Sequence, residues 1–121
     1  MKVLLIEDDT FFRGFYATKL KEKGMEIETA ADGEEGLLKI TAFNPDLVLL
    51  DIIMPKKDGF EVLASMKESG LTVTIPVLVF STLGQEKDVE KARQLGARGY
   101  VNKSFFDFDK LYARIMELGT K

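Results

Sequence analysis

The chain has 121 residues, 45% hydrophobic and 31% charged, with a formal net charge of −3. That length fits one domain with its own core, and a charge balance this mild, without runs of Lys or Arg, argues against direct nucleic-acid binding. Cysteine and histidine are both absent, which excludes disulfides, thiolate zinc sites, thiol nucleophiles, imidazole ligands and serine–histidine triads, and leaves carboxylate, hydroxyl and amine chemistry.

The first predicted strand, residues 2–7, carries the apolar run Val3-Leu4-Leu5-Ile6 and runs into Glu7-Asp8-Asp9. The run is too short for a signal-peptide core. No stretch approaches the roughly 20 apolar residues that span a bilayer, so a cytoplasmic protein without membrane contact is expected. Phe12, Tyr16 and Leu20 follow at helical spacing, with Asp9 open between a helix N-cap and a supporting place in the acidic cluster. A second strand is predicted at 26–30, and Asp32 with Glu35 has the capping-box pattern ahead of a helix carrying Leu37 and Ile40. Residues 46–51, Asp46-Leu47-Val48-Leu49-Leu50-Asp51, are continuously apolar between two acids, as a central strand buried on both faces reads.

Gly59 is expected to serve backbone geometry at the start of a third helix, which places Val62, Leu63 and Met66 inward. A fourth strand at 75–80 precedes a helix with Val89, Ala92 and Leu95 inward, and a fifth strand is predicted at 99–102. Phe108, Leu111, Tyr112, Ile115 and Leu118 then follow the i, i+3, i+4, i+7 rule in a last helix, with Asp107 as N-cap and Gly119 as its stop. Five repeats of apolar run and amphipathic segment predict an α/β fold: one doubly wound, five-stranded parallel sheet with five helices on its two faces, a single domain over residues 1–121.

In such a sheet, sites form beyond the carboxyl ends of the strands. Glu7-Asp8-Asp9 follows strand one, Asp51 ends strand three, Ser81-Thr82 follows strand four and Lys103 follows strand five. Each residue alone has a plain structural use: acids after a strand cap helices or sit solvated in loops, and a lone lysine is most often a surface residue. Together they converge. Carboxylates crowded within several ångströms raise one another's pKa unless a cation lies between them, which a hard divalent ion satisfies.

VLLIEDD at residues 3–9, DIIMPKKDG at 51–59, a hydroxyl after strand four and a lysine after strand five occur in order, with gaps of 43, 30 and 22 residues between Asp8, Asp51, Ser81 and Lys103. In these motifs nearly the whole chain resembles the receiver domains of bacterial response regulators. The resemblance implies a flavodoxin-like sheet of order 2-1-3-4-5, with Asp51 as phosphoacceptor, Lys103 and Ser81 assisting catalysis, and Asp8, supported by Glu7, as metal ligand. Mg²⁺ suits that set, because it takes a few oxygen ligands and accepts a phosphoryl oxygen; Asp8, Asp51 and the backbone carbonyl of Ile53 are the expected ligands. Ser81 and Tyr100 correspond to the family's switch pair, acting on a surface built by the fourth helix, fifth strand and fifth helix.

Further implied are a sensor histidine kinase or histidine phosphotransfer protein as donor, and an output protein or covalently linked output domain. The expected state is a monomer or a phosphorylation-dependent dimer, and the chain is either a stand-alone receiver or part of a longer regulator. Phe105 or Phe106 is weighed as a partner anchor against core packing.

The chain departs from the family pattern in three places. Ser104 follows Lys103 where proline is usual, and Thr82 replaces a small residue. Ile53 and Leu83, at the two positions that tune the attack of water, are both apolar, which predicts slow self-dephosphorylation. The expected role is therefore a switch that catalyses only its own phosphorylation and dephosphorylation. Two rivals remain: a degenerate receiver acting as an interaction module, and a phosphatase of the haloacid dehalogenase type. The latter places a second aspartate where Ile53 stands, and its nucleophile follows the first strand. Neither nucleotide-binding glycine motif occurs after a strand.

Overall fold

A computed structural model describes residues 1–105 and 107–119, and only the backbone at Phe105. Phe106 and the Phe105 side chain, weighed above as a partner anchor, lie outside the described residues. Five strands, β1 (Lys2–Ile6), β2 (Glu26–Ala30), β3 (Leu47–Leu50), β4 (Val77–Ser81) and β5 (Gly99–Asn102), alternate with helices α1 (Thr10–Glu22), α2 (Gly33–Phe43), α3 (Gly59–Glu68), α4 (Leu71–Thr74), α5 (Glu86–Gln94) and α6 (Phe108–Gly119). A 3₁₀ turn at Lys103–Phe105 joins β5 to α6. The strands are parallel in the order β2-β1-β3-β4-β5, the order expected.

Alternation along each strand divides the apolar residues between two cores. Leu4, Ile6, Val48, Leu50, Val77 and Val79 face α2, α3 and α5, meeting Ile40, Val62, Leu63, Met66 and Ala92. Val3, Leu5, Leu47, Leu49, Leu78 and Phe80 face α1 and α6, meeting Tyr16, Leu20, Leu111 and Ile115. With both faces covered, every residue of β3 is buried, which is why its sequence reads as an unbroken apolar run. Among the described residues no helix is long and apolar enough to cross a membrane.

The structure differs from the sequence reading at several points. A sixth helix, the single turn α4, follows Gly70, whose φ of +76° redirects the chain after α3. Ile75 caps that turn and Pro76 has no N–H to donate, so β4 starts at Val77 and reaches Ser81. Glu7 and Asp51 fall just past their strands, although their amides still donate to the carbonyls of Ala30 and Ile6, each at 3.0 Å. Asp32 does cap α2, but Glu35 reaches back to the amide of Ala31 at 2.7 Å and not to that of Asp32. Reciprocal boxes lie instead on α3, between Asp58 and Glu61, and on α5, between Gln85 and Asp88. Phe12 and Val89, placed inward by their spacing, are exposed: Phe12 overhangs the strand ends and Val89 lines a groove beside Tyr100.

Candidate functional site

Two loops, after β1 and after β3, bring the acids together. Glu7, Asp8 and Asp51 each offer a carboxylate oxygen, and these oxygens lie within 4.8 Å of one another. Asp51 is only 7% exposed. Its Oδ1 accepts from the Ile52 amide at 2.8 Å, and its Oδ2 faces the ammonium of Lys103 at 3.4 Å. Gly59 makes this packing possible: its amide donates to the Ile52 carbonyl at 2.7 Å, and a Cβ there would stand 2.7 Å from Ile52 Cα and collide with the Asp51 carbonyl.

Glu7 is buried and Asp8 exposed, so two adjacent acids play different parts. Glu7 is ion-paired with Lys103 through Oε1 and accepts from the Asp9 amide through Oε2 at 3.1 Å. Burial pushes its carboxyl up to about 7, the charge of Asp51 adds to the rise, and the Lys103 hydrogen bond works against both. Asp9 lies outside the three-acid group and caps α1, accepting from the Phe12 amide at 3.0 Å.

Lys103 is buried at its side chain between these acids and two rings, with Nζ 5.2 Å from the centroid of Phe12 and 5.5 Å from that of Phe80. The aromatic faces favour the cation while limiting its hydration. A shallow depression opens above the cluster, lined by Glu7, Asp8, Asp9, Phe12, Asp51, Thr82 and Lys103, with Ile53 bordering it at 56% exposure.

Ser81 ends β4 fully buried, and its Oγ accepts from the Leu83 amide at 3.2 Å. Leu83 packs its side chain on the core beneath α3 and α5, so of the two apolar positions only Ile53 borders the depression. The Leu83 carbonyl accepts a hydrogen bond from the Tyr100 hydroxyl. Burial pushes that phenol up to about 12, with the charges of Asp88 and Asp51 adding to the rise. Ser81, Leu83 and Tyr100 are thus linked through one loop.

Two residues escape sequence reasoning. Arg13 of α1 donates to the carbonyls of Glu7 at 2.9 Å and Asp8 at 3.2 Å, holding the acidic loop from beneath. Asn102 accepts from the amide of Ser104 at 2.8 Å. An arginine on a helix and an asparagine at a strand end have many ordinary uses, and nothing local marks these two. No cis peptide bond occurs among the described residues.

The chemistry of the donor set fits a hard divalent cation: three carboxylates at one point, one solvent-facing, with a lysine balancing only part of their charge. The comparisons with known proteins agree. The family model described as response regulator receiver domain matches residues 3–116. The chain is 34% identical over 104 residues to the chemotaxis protein CheY of Halobacterium salinarum, covering 86% of this chain and 85% of that one. It is 33% identical over 117 residues to the transcriptional regulator RpaA of Synechocystis, covering 97% of this chain and 48% of that one. The chain spans about half the length of that regulator and of the similar DltR of Streptococcus agalactiae. Among solved structures it matches the receiver domain of a Francisella response regulator with a TM-score of 0.90 at 31% identity, over 98% of this chain and 95% of that one. It also matches a chain of the CheX–CheY–BeF3–Mg²⁺ complex of Borrelia burgdorferi with a TM-score of 0.90 at 33% identity, over 100% and 90%. From its sheet order, its acid cluster and these matches, the chain belongs to the receiver domain family of two-component response regulators.

Proposed function

We propose that this receiver accepts a phosphoryl group on Asp51 from a phosphohistidine of a partner kinase or phosphotransfer protein, in a Mg²⁺-dependent reaction, and thereby changes the surface of α5, β5 and α6. The observation that carries this is the placement of a buried aspartate among two further acids and a lysine, at the bottom of an open depression. Glu7, Asp8, Asp51 and the carbonyl of Ile53 would hold Mg²⁺, which when bound offsets the carboxylate charge and that of the transferring phosphoryl oxygens.

Oδ1 of Asp51 is already engaged by the Ile52 amide, which leaves Oδ2 as nucleophile. Oδ2 bonds to phosphorus as the P–N bond breaks; its electron pair leaves with the donor imidazole, and Asp51 becomes an acyl phosphate. Lys103, beside Oδ2, pairs with one phosphoryl oxygen. The Ser81 hydroxyl donates to another, and this draws in the loop that carries Leu83. Because the Leu83 carbonyl holds Tyr100, moving that loop frees the ring and shifts a two-state equilibrium on the β5 face, for which a differential of a few kcal/mol suffices. The groove of Val89, Ala92, Arg93, Arg98 and Tyr100 lies on that face, where an output partner would read the change. The product is a modified protein and not a released compound, so the activity is that of a switch.

The test is the intact mass after incubation with Mg²⁺ and acetyl phosphate, compared with Asp51→Asn. A gain of one phosphoryl group that requires Mg²⁺ and disappears in Asp51→Asn is expected. A folded, Mg²⁺-binding protein that gains nothing would make the chain an interaction module.

A further inference from the structure

The geometry points to Asn102 as the positioning residue that aims Lys103 at the acceptor carboxylate. This inference rests on the proposed role of Asp51 and adds a residue that acts through the backbone without touching the phosphoryl group.

Lys103 reaches the acids on a side chain with four rotatable bonds, and its ammonium lies 3.4 Å from Asp51 Oδ2. Where it arrives depends on the direction in which the backbone leaves β5. At that point the strand ends at Asn102 and the chain turns at once into the 3₁₀ segment Lys103–Phe105. Ser104, the residue after the lysine, has no ring to restrict its φ, so the turn must be held by a bond. The Asn102 side chain supplies it: Oδ1 accepts from the Ser104 amide at 2.8 Å, the local turn in which Asn and Asp bond the backbone two residues on. The bond straddles Lys103 and sets the peptide planes on both of its sides.

The other end of the same side chain is fixed as well. Nδ2 of Asn102 lies against Gly84, so close that a Cβ at 84 would collide with it, and the next side-chain atom, Cγ, would stand 3.2 Å from that Cβ. Asn102 is also in register with Ser81 across β4 and β5. The amide is therefore wedged between the loop that follows Ser81 and the turn that carries Lys103. Its oxygen meets the Ser104 amide while its nitrogen packs on Gly84.

Three readouts test this on the full chain. The first is chemical acylation of lysines followed by mass mapping, in metal-free protein. Lys103 is shielded by its ion pairs and should label slowly. In Asn102→Ala its labelling should rise severalfold while the other lysines keep their rates. The second is phosphorylation by acetyl phosphate at saturating Mg²⁺, which should slow by roughly tenfold or more, as expected when a charged group is misplaced by about 1 Å. Asn102→Asp, which keeps the acceptor oxygen, should restore both. The third is a double-mutant cycle: in a Ser104→Pro background, where the donor N–H is gone, Asn102→Ala should have no further effect on Lys103 labelling. Unchanged Lys103 labelling in Asn102→Ala, acceleration at all lysines together, or full additivity with Ser104→Pro would each overturn the assignment. Should Asp51 prove not to be phosphorylated at all, the function fails but the labelling experiment still decides whether Asn102 places Lys103.

Discussion

Glu7 and Asp8 are adjacent carboxylic acids, and burial gives them different parts. Glu7 is enclosed with Lys103 and held up to about 7 from an ordinary 4.5, chiefly by desolvation; Asp8 faces solvent. Because the folded protein holds the Glu7 proton over a range where the unfolded chain has released it, the native state binds more protons between about 4.5 and about 7, and stability falls as pH rises through that window. Metal-free protein should therefore lose urea stability across it and level off above, and Glu7→Gln should remove that decline. A slope that persists in the variant would assign it to another group. Ile53 is the second residue whose surroundings decide its part. Bordering the depression with no hydrogen-bonding atom in its side chain, it leaves an attacking water unheld, so Ile53→Asn should shorten the phosphoryl lifetime by about an order of magnitude. Leu83→Asn, at a position packed on the core, should lower stability more than lifetime. The decay of the phosphorylated mass distinguishes the two.

Helix α3 begins where the site ends. Asp58 and Glu61 close its first turn reciprocally, and Gly59 lies under the backbone of Asp51 and Ile52. The two adjacent positions therefore make separable contributions. Asp58→Ala should cost about 1 kcal/mol of stability, as the loss of a helix cap does, with little change in phosphorylation. Gly59→Ala should cost about 1–3 kcal/mol, as overpacking does, and should also slow phosphorylation, since the collision is with the backbone of Asp51, the proposed acceptor. Equal phosphorylation in both variants would show that the approach at Gly59 serves folding alone. Helix α5 is of another kind: its sequence Glu-Lys-Asp-Val-Glu-Lys-Ala-Arg-Gln buries only Asp88 and Ala92. Lys91 over the Phe60 ring at 4.3 Å and Lys67 bonded to the Gln94 carbonyl at 2.8 Å hold it to α3. A helix with so little buried apolar area is suited to shift in the proposed switch, in which Tyr100 beside it is freed.

Over the whole molecule the cost of gathering three acids is set against the stability of two apolar cores. A cation bound only by the native state should return stability by mass action: at Mg²⁺ about 100 times its dissociation constant the gain is about 2.7 kcal/mol. The thermal unfolding temperature should rise with Mg²⁺, return to baseline with EDTA, and respond little in Asp8→Asn. An equal response in that variant would place the ion elsewhere. Much of this was legible beforehand, because the hydrophobic period is a local property: the apolar runs announced parallel strands, helical spacing found the inner faces of α2, α3 and α6, and the acids, hydroxyl and lysine after the strands marked one end of the sheet. The limits of that reading were also physical. Pro76 and Gly70 moved the start of β4 through backbone constraints that hydrophobicity does not register. Phe12 and Val89 kept helical spacing yet lost their cover, Phe12 beyond the strand ends and Val89 in the groove beside Tyr100. By itself, then, the sequence determined the α/β architecture, the two-sided burial of the sheet and the roster of chemical groups, all of which follow from periodicity and residue type. Only the tertiary structure decided which acid is buried, that Asp9 serves α1, and that Arg13 and Asn102 brace the loops bearing the acids and the lysine. Those outcomes depend on distances between segments far apart in the chain, which no local pattern encodes.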